Sequence, residues 1–185
     1  GARRSRALAL NARRDPDAPI FLVGFMGVGK STVGRALAAR LSWDFEDTDA
    51  LVERALGCSV EEIFRAAGEG RFREAEWGAL CSLDGRERLV VATGGGLFLG
   101  VAQRAFLRAH GLSCLLDAPL EVVAARVGSF ASRPLWPSDD ALLRRVFFER
   151  RRAAYALADI RIDASRGGSD HLASVIEAAK RSLWR

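Results

Sequence analysis

Short apolar runs alternate along the chain with stretches whose apolar residues recur every three or four positions. Ile20 to Val23, Trp43 to Phe45, Leu89 to Ala92, Ser113 to Leu116 and Ile160 to Ile162 read as strands. Between them, Val33, Leu37 and Leu41 mark one face of a helix that opens at Lys30. Ser59 with Glu62 three residues on has the spacing of a capping box, which starts another helix. Gly57, Gly68 and Gly111 sit where helices are expected to stop. The stretch from Gly128 to Asp140 carries Ser, Pro, Trp and Asp without periodicity and reads as a mobile loop between two helical patterns. This rhythm predicts an α/β domain whose mostly parallel sheet is covered on both faces.

Composition narrows the picture without changing it. The 185 residues, 49% of them hydrophobic, suit one domain with a sizeable core, drawn here as residues 20–185. The net charge of +5 invites a nucleic-acid reading, but residues 1–19 carry five arginines against Asp15 and Asp17, and the remainder is nearly neutral. That segment reads as a solvated basic tail, with no nucleic-acid partner; a transit-peptide remnant, and with it a plastid location, is the alternative. No apolar run approaches the 18 or so residues of a membrane span. Cys58, Cys81 and Cys114 are odd in number and far apart, which points to a reducing compartment, the cytoplasm. Two histidines, His110 and His171, are too few for a histidine-built metal centre, so any metal is expected to be oxygen-bound.

The sharpest chemistry lies just after the first strand. Gly24-Phe25-Met26-Gly27-Val28-Gly29-Lys30-Ser31 matches G-x-x-x-x-G-K-S/T between a strand and a helix, the context in which this pattern cradles phosphates. Backbone amides from Gly27 to Thr32 and the helix N-terminus suit phosphate oxygens, Lys30 suits the β- and γ-phosphates, and the Ser31 hydroxyl suits Mg²⁺. Lys30 and Lys180 are the chain's only lysines, so a compact ammonium has been kept at a place where arginine would not serve. Beyond the second strand, Asp47-Thr48-Asp49 falls at the carboxyl edge of the sheet, where ligands of open α/β folds bind. Read as an extended segment, the two carboxylates point to opposite sides, one toward hydrated Mg²⁺ and one toward an acceptor hydroxyl; plain helix capping is the competing reading.

Four further segments, in order, make the chain resemble the shikimate kinase family. They are Phe45-Glu46-Asp47-Thr48-Asp49 for F-x-D-x-D, Gly68 to Glu76 for G-E-x-x-F-R-x-x-E, the triplet Gly94-Gly95-Gly96, and Arg133-Pro134-Leu135 in the loop. The resemblance runs from about Ile20 to the C-terminus. It implies a nucleoside-monophosphate-kinase-like fold with a five-stranded parallel sheet, helices on both faces and a lid at about 128–140. The activity it implies is transfer of the ATP γ-phosphoryl group to the 3-hydroxyl of shikimate, with Mg²⁺ and as a monomer. On this pattern Arg73 clamps the shikimate carboxylate, Glu76 orients Arg73, Asp49 binds the ring hydroxyls near the attacking one, and the three glycines let main chain approach the ring. Arg133 closes over the γ-phosphate and Arg126 stacks on adenine. The second carboxylate ligand falls on Arg151, with Arg150 and Arg152 one residue to either side, because the family's R-x-P-L-Y is here Arg151-Arg152-Ala153-Ala154-Tyr155. The lid continues Trp136-Pro137, and Arg166-Gly167-Gly168-Ser169 lacks a proline often found against adenine. A kinase for another small hydroxylated metabolite and a ligand-sensing module of the same ancestry are the rival readings.

Overall fold

The computed structural model describes residues 15–127 and 140–183. Of the segment read as a lid at about 128–140, residues 128–139, Arg133 included, lie outside the described residues, as do the first fourteen, whereas Asp140 caps the helix that follows. Five strands, β1 (Ile20–Val23), β2 (Asp44–Asp47), β3 (Leu89–Ala92), β4 (Leu112–Asp117) and β5 (Ile160–Asp163), form one parallel sheet in the order β2-β3-β1-β4-β5. All four residues of β1 and of β3 are buried. Since successive side chains of a strand face opposite ways, both faces of the sheet must be covered, which explains why these strands read as unbroken apolar runs. The helices that cover them are α1 (Lys30–Leu41), α2 (Thr48–Leu56), α3 (Val60–Cys81), α4 (Val101–His110), α5 (Leu120–Val127), α6 (Ala141–Tyr155) and α7 (Ser169–Leu183). The core runs through Phe21, Leu22, Leu37, Val90, Leu116 and Ile176.

A second, smaller apolar cluster of Val52, Ile63, Phe72 and Ala79 joins α2 to α3. The Phe64 and Phe72 rings meet 4.9 Å apart within it. Ser59 opens α3 with the expected capping box, its hydroxyl accepting from Glu62 N at 3.2 Å while Glu62 Oε2 accepts from Ser59 N at 2.8 Å. Gly57 and Gly111 end α2 and α4 as read from the sequence. Gly68 does not end its helix: at φ 75° it makes a kink inside α3, after which the helix resumes. The packing of Phe72 holds the second half in line, and that half carries Arg73 and Glu76.

The boundary drawn at Pro19 moves. Asp17 O accepts from Arg88 N at 2.7 Å, Pro19 O accepts from Leu112 N at 2.9 Å, Pro16 O accepts from Lys180 Nζ, and Ala18 is buried. Residues 15–19 thus belong to the folded body. Removing residues 1–14 is expected to leave activity and melting temperature unchanged. Removing residues 1–19 forfeits these bonds and should cost roughly 2 to 4 kcal/mol of stability, read from denaturant unfolding.

Candidate active site

The loop after β1 turns sharply enough that Gly24 takes φ 137°, and a Cβ there would lie 2.4 Å from Leu116 O, so only glycine fits. Lys30, a residue only 8% exposed, donates through its ammonium to Gly24 O and Phe25 O, both at 2.9 Å, so that the ammonium lies against the loop backbone. The first turn of α1 has no acidic residue, which leaves its positive dipole end open to an anion. Gly27, Gly29, Lys30, Ser31 and Thr32 line a cleft of about 630 Å³ that continues past Asp47 and Asp49. Cofactor sites are commonly of this size.

Asp47 and Asp49 are not two alternating positions of an extended segment. Asp47 ends β2 and caps α2, its Oδ1 accepting from Asp49 N at 3.0 Å, while Oδ2 accepts from the Ser31 hydroxyl at 2.6 Å. Asp49 already lies in the first turn of α2. The capping reading therefore holds for Asp47, which at the same time faces the Ser31 hydroxyl of the phosphate loop. One carboxylate ties the starts of two helices together at the mouth of the phosphate loop, with a hydroxyl and a carboxylate oxygen side by side.

A second, smaller cavity opens next to this cleft, lined by Asp49, Arg73, Glu76, the glycines 94–96 and Arg151, with Met26, Asp49, Val60 and Gly95 shared between the two. Arg73 reaches Glu76 Oε2 at 2.7 Å through Nη1 and Glu69 Oε1 at 3.0 Å through Nη2. Its guanidinium lies directly over Gly96, where a Cβ would meet Nη2 at 2.4 Å and so push the guanidinium from its present place. Burial opposes the Arg73 charge, but Glu76 and Glu69 outweigh it and hold the group above its usual value. Glu76 is 1% exposed, and burial pushes its carboxyl above the usual range, the Arg73 charge opposing and the nearby Asp49 charge adding. A Cβ on Gly94 would sit 2.5 Å from Glu76 Oε1 and 2.6 Å from Asp49 Oδ1, so both carboxylates crowd the same glycine.

Among the three arginines of residues 150–152, Arg151 is half-buried and lines the cavity, whereas its neighbours are exposed. Its guanidinium stacks 3.3 Å from the Phe147 ring centroid. Burial holds Arg151 below its usual value, Tyr155 opposing and the Arg73 charge lowering it further. It has no carboxylate partner among the described residues. Two guanidinium groups thus converge on one small cavity, an arrangement an anionic ligand relieves. Arg126 lies elsewhere, donating to Val28 O at 3.3 Å and Ser165 O at 3.4 Å, and so bridges the phosphate loop to the segment after β5.

The sequence reading missed three partners. Glu69 is a second anchor for Arg73 and could have been found from its i, i+4 spacing. Thr48 accepts from Gly94 N at 2.8 Å, and the Tyr155 hydroxyl donates to Gly95 O; both stand within matched motifs, but no motif names a partner so far away in sequence.

A phosphate loop at the end of the central strand, with an acceptor cavity beside it, defines a P-loop phosphotransferase of the nucleoside-monophosphate-kinase-like fold. The family model described as shikimate kinase matches residues 26–180. The chain belongs to the shikimate kinase family, whose members are ATP-dependent kinases. It is 45% identical over 147 residues to a shikimate kinase of Microcystis aeruginosa, covering 79% of this chain and 77% of that one. A shikimate kinase of Geobacter sulfurreducens is 46% identical over 149 residues, covering 79% and 81%. The solved shikimate kinase of Acinetobacter baumannii in complex with shikimate superposes with a TM-score of 0.85 at 34% identity, over 96% of this chain and 97% of that one.

Proposed function

We propose that the chain transfers the γ-phosphoryl group of ATP to the 3-hydroxyl of shikimate, with the phosphates in the loop from Gly27 to Thr32 and the acceptor between Asp49, Arg73 and Arg151. The observation that carries this reading is the position of Asp49, at the junction of the phosphate cleft and the cavity with the two guanidinium groups. Lys30 and the loop amides stabilise charge on the β- and γ-phosphates. Asp49 takes a hydrogen bond from the attacking hydroxyl and aims it at the phosphorus; because phosphoryl transfer is loose, aiming is most of its task. Arg73, braced by Glu76 and Glu69, forks onto the ring carboxylate, and Arg151 meets it from the side of α6. Arg126 borders the adenine, and the motif alone assigns Arg133 to the γ-phosphate. The cytoplasm keeps the chain's three free thiols, Cys58, Cys81 and Cys114, reduced. Among the described residues, no helix is long and apolar enough to cross a membrane.

The adjacent Ser31 hydroxyl and Asp47 carboxylate are hard oxygen ligands of the kind Mg²⁺ takes when it keeps most of its waters and shares phosphates. Bound there, Mg²⁺ neutralises charge on the β- and γ-phosphates. Asp47→Asn is therefore expected to raise the Mg²⁺ concentration needed for half-maximal rate, whereas Asp49→Asn lowers turnover at saturating Mg²⁺. Identical Mg²⁺ titrations of the two variants would refute this division. The reading as a whole is tested by coupled ADP release with shikimate, gluconate and AMP offered as acceptors; turnover with gluconate or AMP in preference to shikimate would overturn it.

A further inference from the structure

Three consecutive glycines are the most flexible backbone a chain can supply, yet here they form one wall of a cavity whose dimensions are tight. A Cβ on Gly95 would come within 3.2 Å of Met26 N, so the phosphate loop abuts the middle of the triplet. Asp49 and Glu76 crowd Gly94 on one side, and the Arg73 guanidinium covers Gly96 on the other. A small displacement of this segment alters the gap between the acceptor wall and the phosphate cradle. Side chains of its own cannot hold it, because it has none.

Two hydroxyls from distant parts of the chain reach its backbone. Thr48, fully buried between Asp47 and Asp49, turns its oxygen away from the phosphate cleft and accepts from Gly94 N at 2.8 Å. Tyr155, buried at the last position of α6, donates to Gly95 O. Burial also pushes the Tyr155 phenol up from its ordinary value, so it stays a donor across the working range of pH. Tyr155 lies one helical turn after Arg151, on the same side of α6. The bond that fixes Gly95 therefore also fixes the helix that presents Arg151 to the cavity.

We propose that Thr48 and Tyr155 are positioning residues for the acceptor: their hydroxyls pin the two ends of the Gly94–Gly95 unit, and Tyr155 couples that unit to Arg151. The proposal rests on the acceptor pocket assigned above, and the experiment separates the two. Steady-state kinetics are measured for Tyr155→Phe, Thr48→Val and Thr48→Ser, with thermal melts and circular dichroism, and with Arg73→Lys as a control for the pocket. Tyr155→Phe, which deletes one oxygen and keeps the ring, is expected to raise the shikimate KM about 5- to 30-fold while the ATP KM stays within about twofold. Thr48→Val should behave in the same way and Thr48→Ser should return close to the parent, since it keeps the hydroxyl. Tyr155→Phe combined with Arg151→Ala should cost less than the product of the single penalties, because both act on one contact. A folded Tyr155→Phe with unchanged shikimate KM, an equal rise in both KM values, or a Thr48→Ser as impaired as Thr48→Val each overturns the proposal. Should Thr48→Val fail to fold, Tyr155→Phe and its double variant decide. If Arg73→Lys impairs shikimate use and Tyr155→Phe does not, the hydroxyl pins fail and the pocket stands; if Arg73→Lys is also silent, the pocket itself is misplaced.

Discussion

Arg73→Lys is expected to lower kcat/KM for shikimate about 30- to 1,000-fold while ATP binding barely changes, because a buried charge-assisted contact is worth roughly 2 to 4 kcal/mol. Lysine keeps the charge but not the fork. In the native site the guanidinium meets Glu76 at 2.7 Å and Glu69 at 3.0 Å and lies flat over Gly96. Only a planar, five-donor group can hold those braces and still present two N–H donors to a carboxylate. Glu76→Gln should give a milder loss, since it loosens the brace without removing the fork. A sharper reading comes from a shikimate analogue whose carboxylate is reduced to an alcohol. It should be a poor acceptor for the parent but suffer little further from Arg73→Lys, because two changes that delete one interaction cannot each cost its full value. Penalties that simply multiply would show that Arg73 does not touch the carboxylate.

Lys30→Ala is expected to reduce turnover by about 1,000-fold or more, the scale seen when a preorganised donor is removed from developing charge in a water-poor site. The ammonium is held within the loop by Gly24 O and Phe25 O, both at 2.9 Å, close to where the loop amides would meet the phosphates. The fold should persist. The core that surrounds the loop, from Phe21 and Leu22 of β1 to Leu37 of α1, does not depend on this side chain. Circular dichroism and the thermal melt therefore serve as controls. A folded Lys30→Ala within a few-fold of the parent rate would remove the phosphate cradle from the mechanism.

Much of this architecture was legible in the sequence because its causes are local. β1 and β3 are buried on both faces, so they read as continuous apolar runs with the observed limits. The phosphate loop is a contiguous stretch whose glycines and lysine must stand at fixed spacing, and the capping box is a contact across three residues. The family resemblance reached further, to Arg73, Glu76 and the glycine triplet, because those residues too lie in short ordered segments.

What the tertiary structure decided depends on contacts between distant segments, which no window of sequence contains. Arg151, rather than Arg150 or Arg152, enters the cavity because α6 packs its Phe148 against Phe25, ring centroids 5.0 Å apart, and that packing sets the rotation of the helix. Asp47 both caps α2 and accepts from Ser31 at 2.6 Å because the end of β2 lies beside the start of α1. The glycine at 68 kinks a helix instead of ending it, since Phe72 and Ile63 bury their side chains in one cluster on either side of the kink. Residues 15–19 belong to the body through backbone bonds to Arg88 and Leu112. Local propensity and spacing therefore settled which elements form and where the glycine-rich loop lies. Helix rotation and long-range bonds such as those of Thr48 and Tyr155 decided which side chains meet around the smaller cavity, because those follow from packing energies summed over the whole fold.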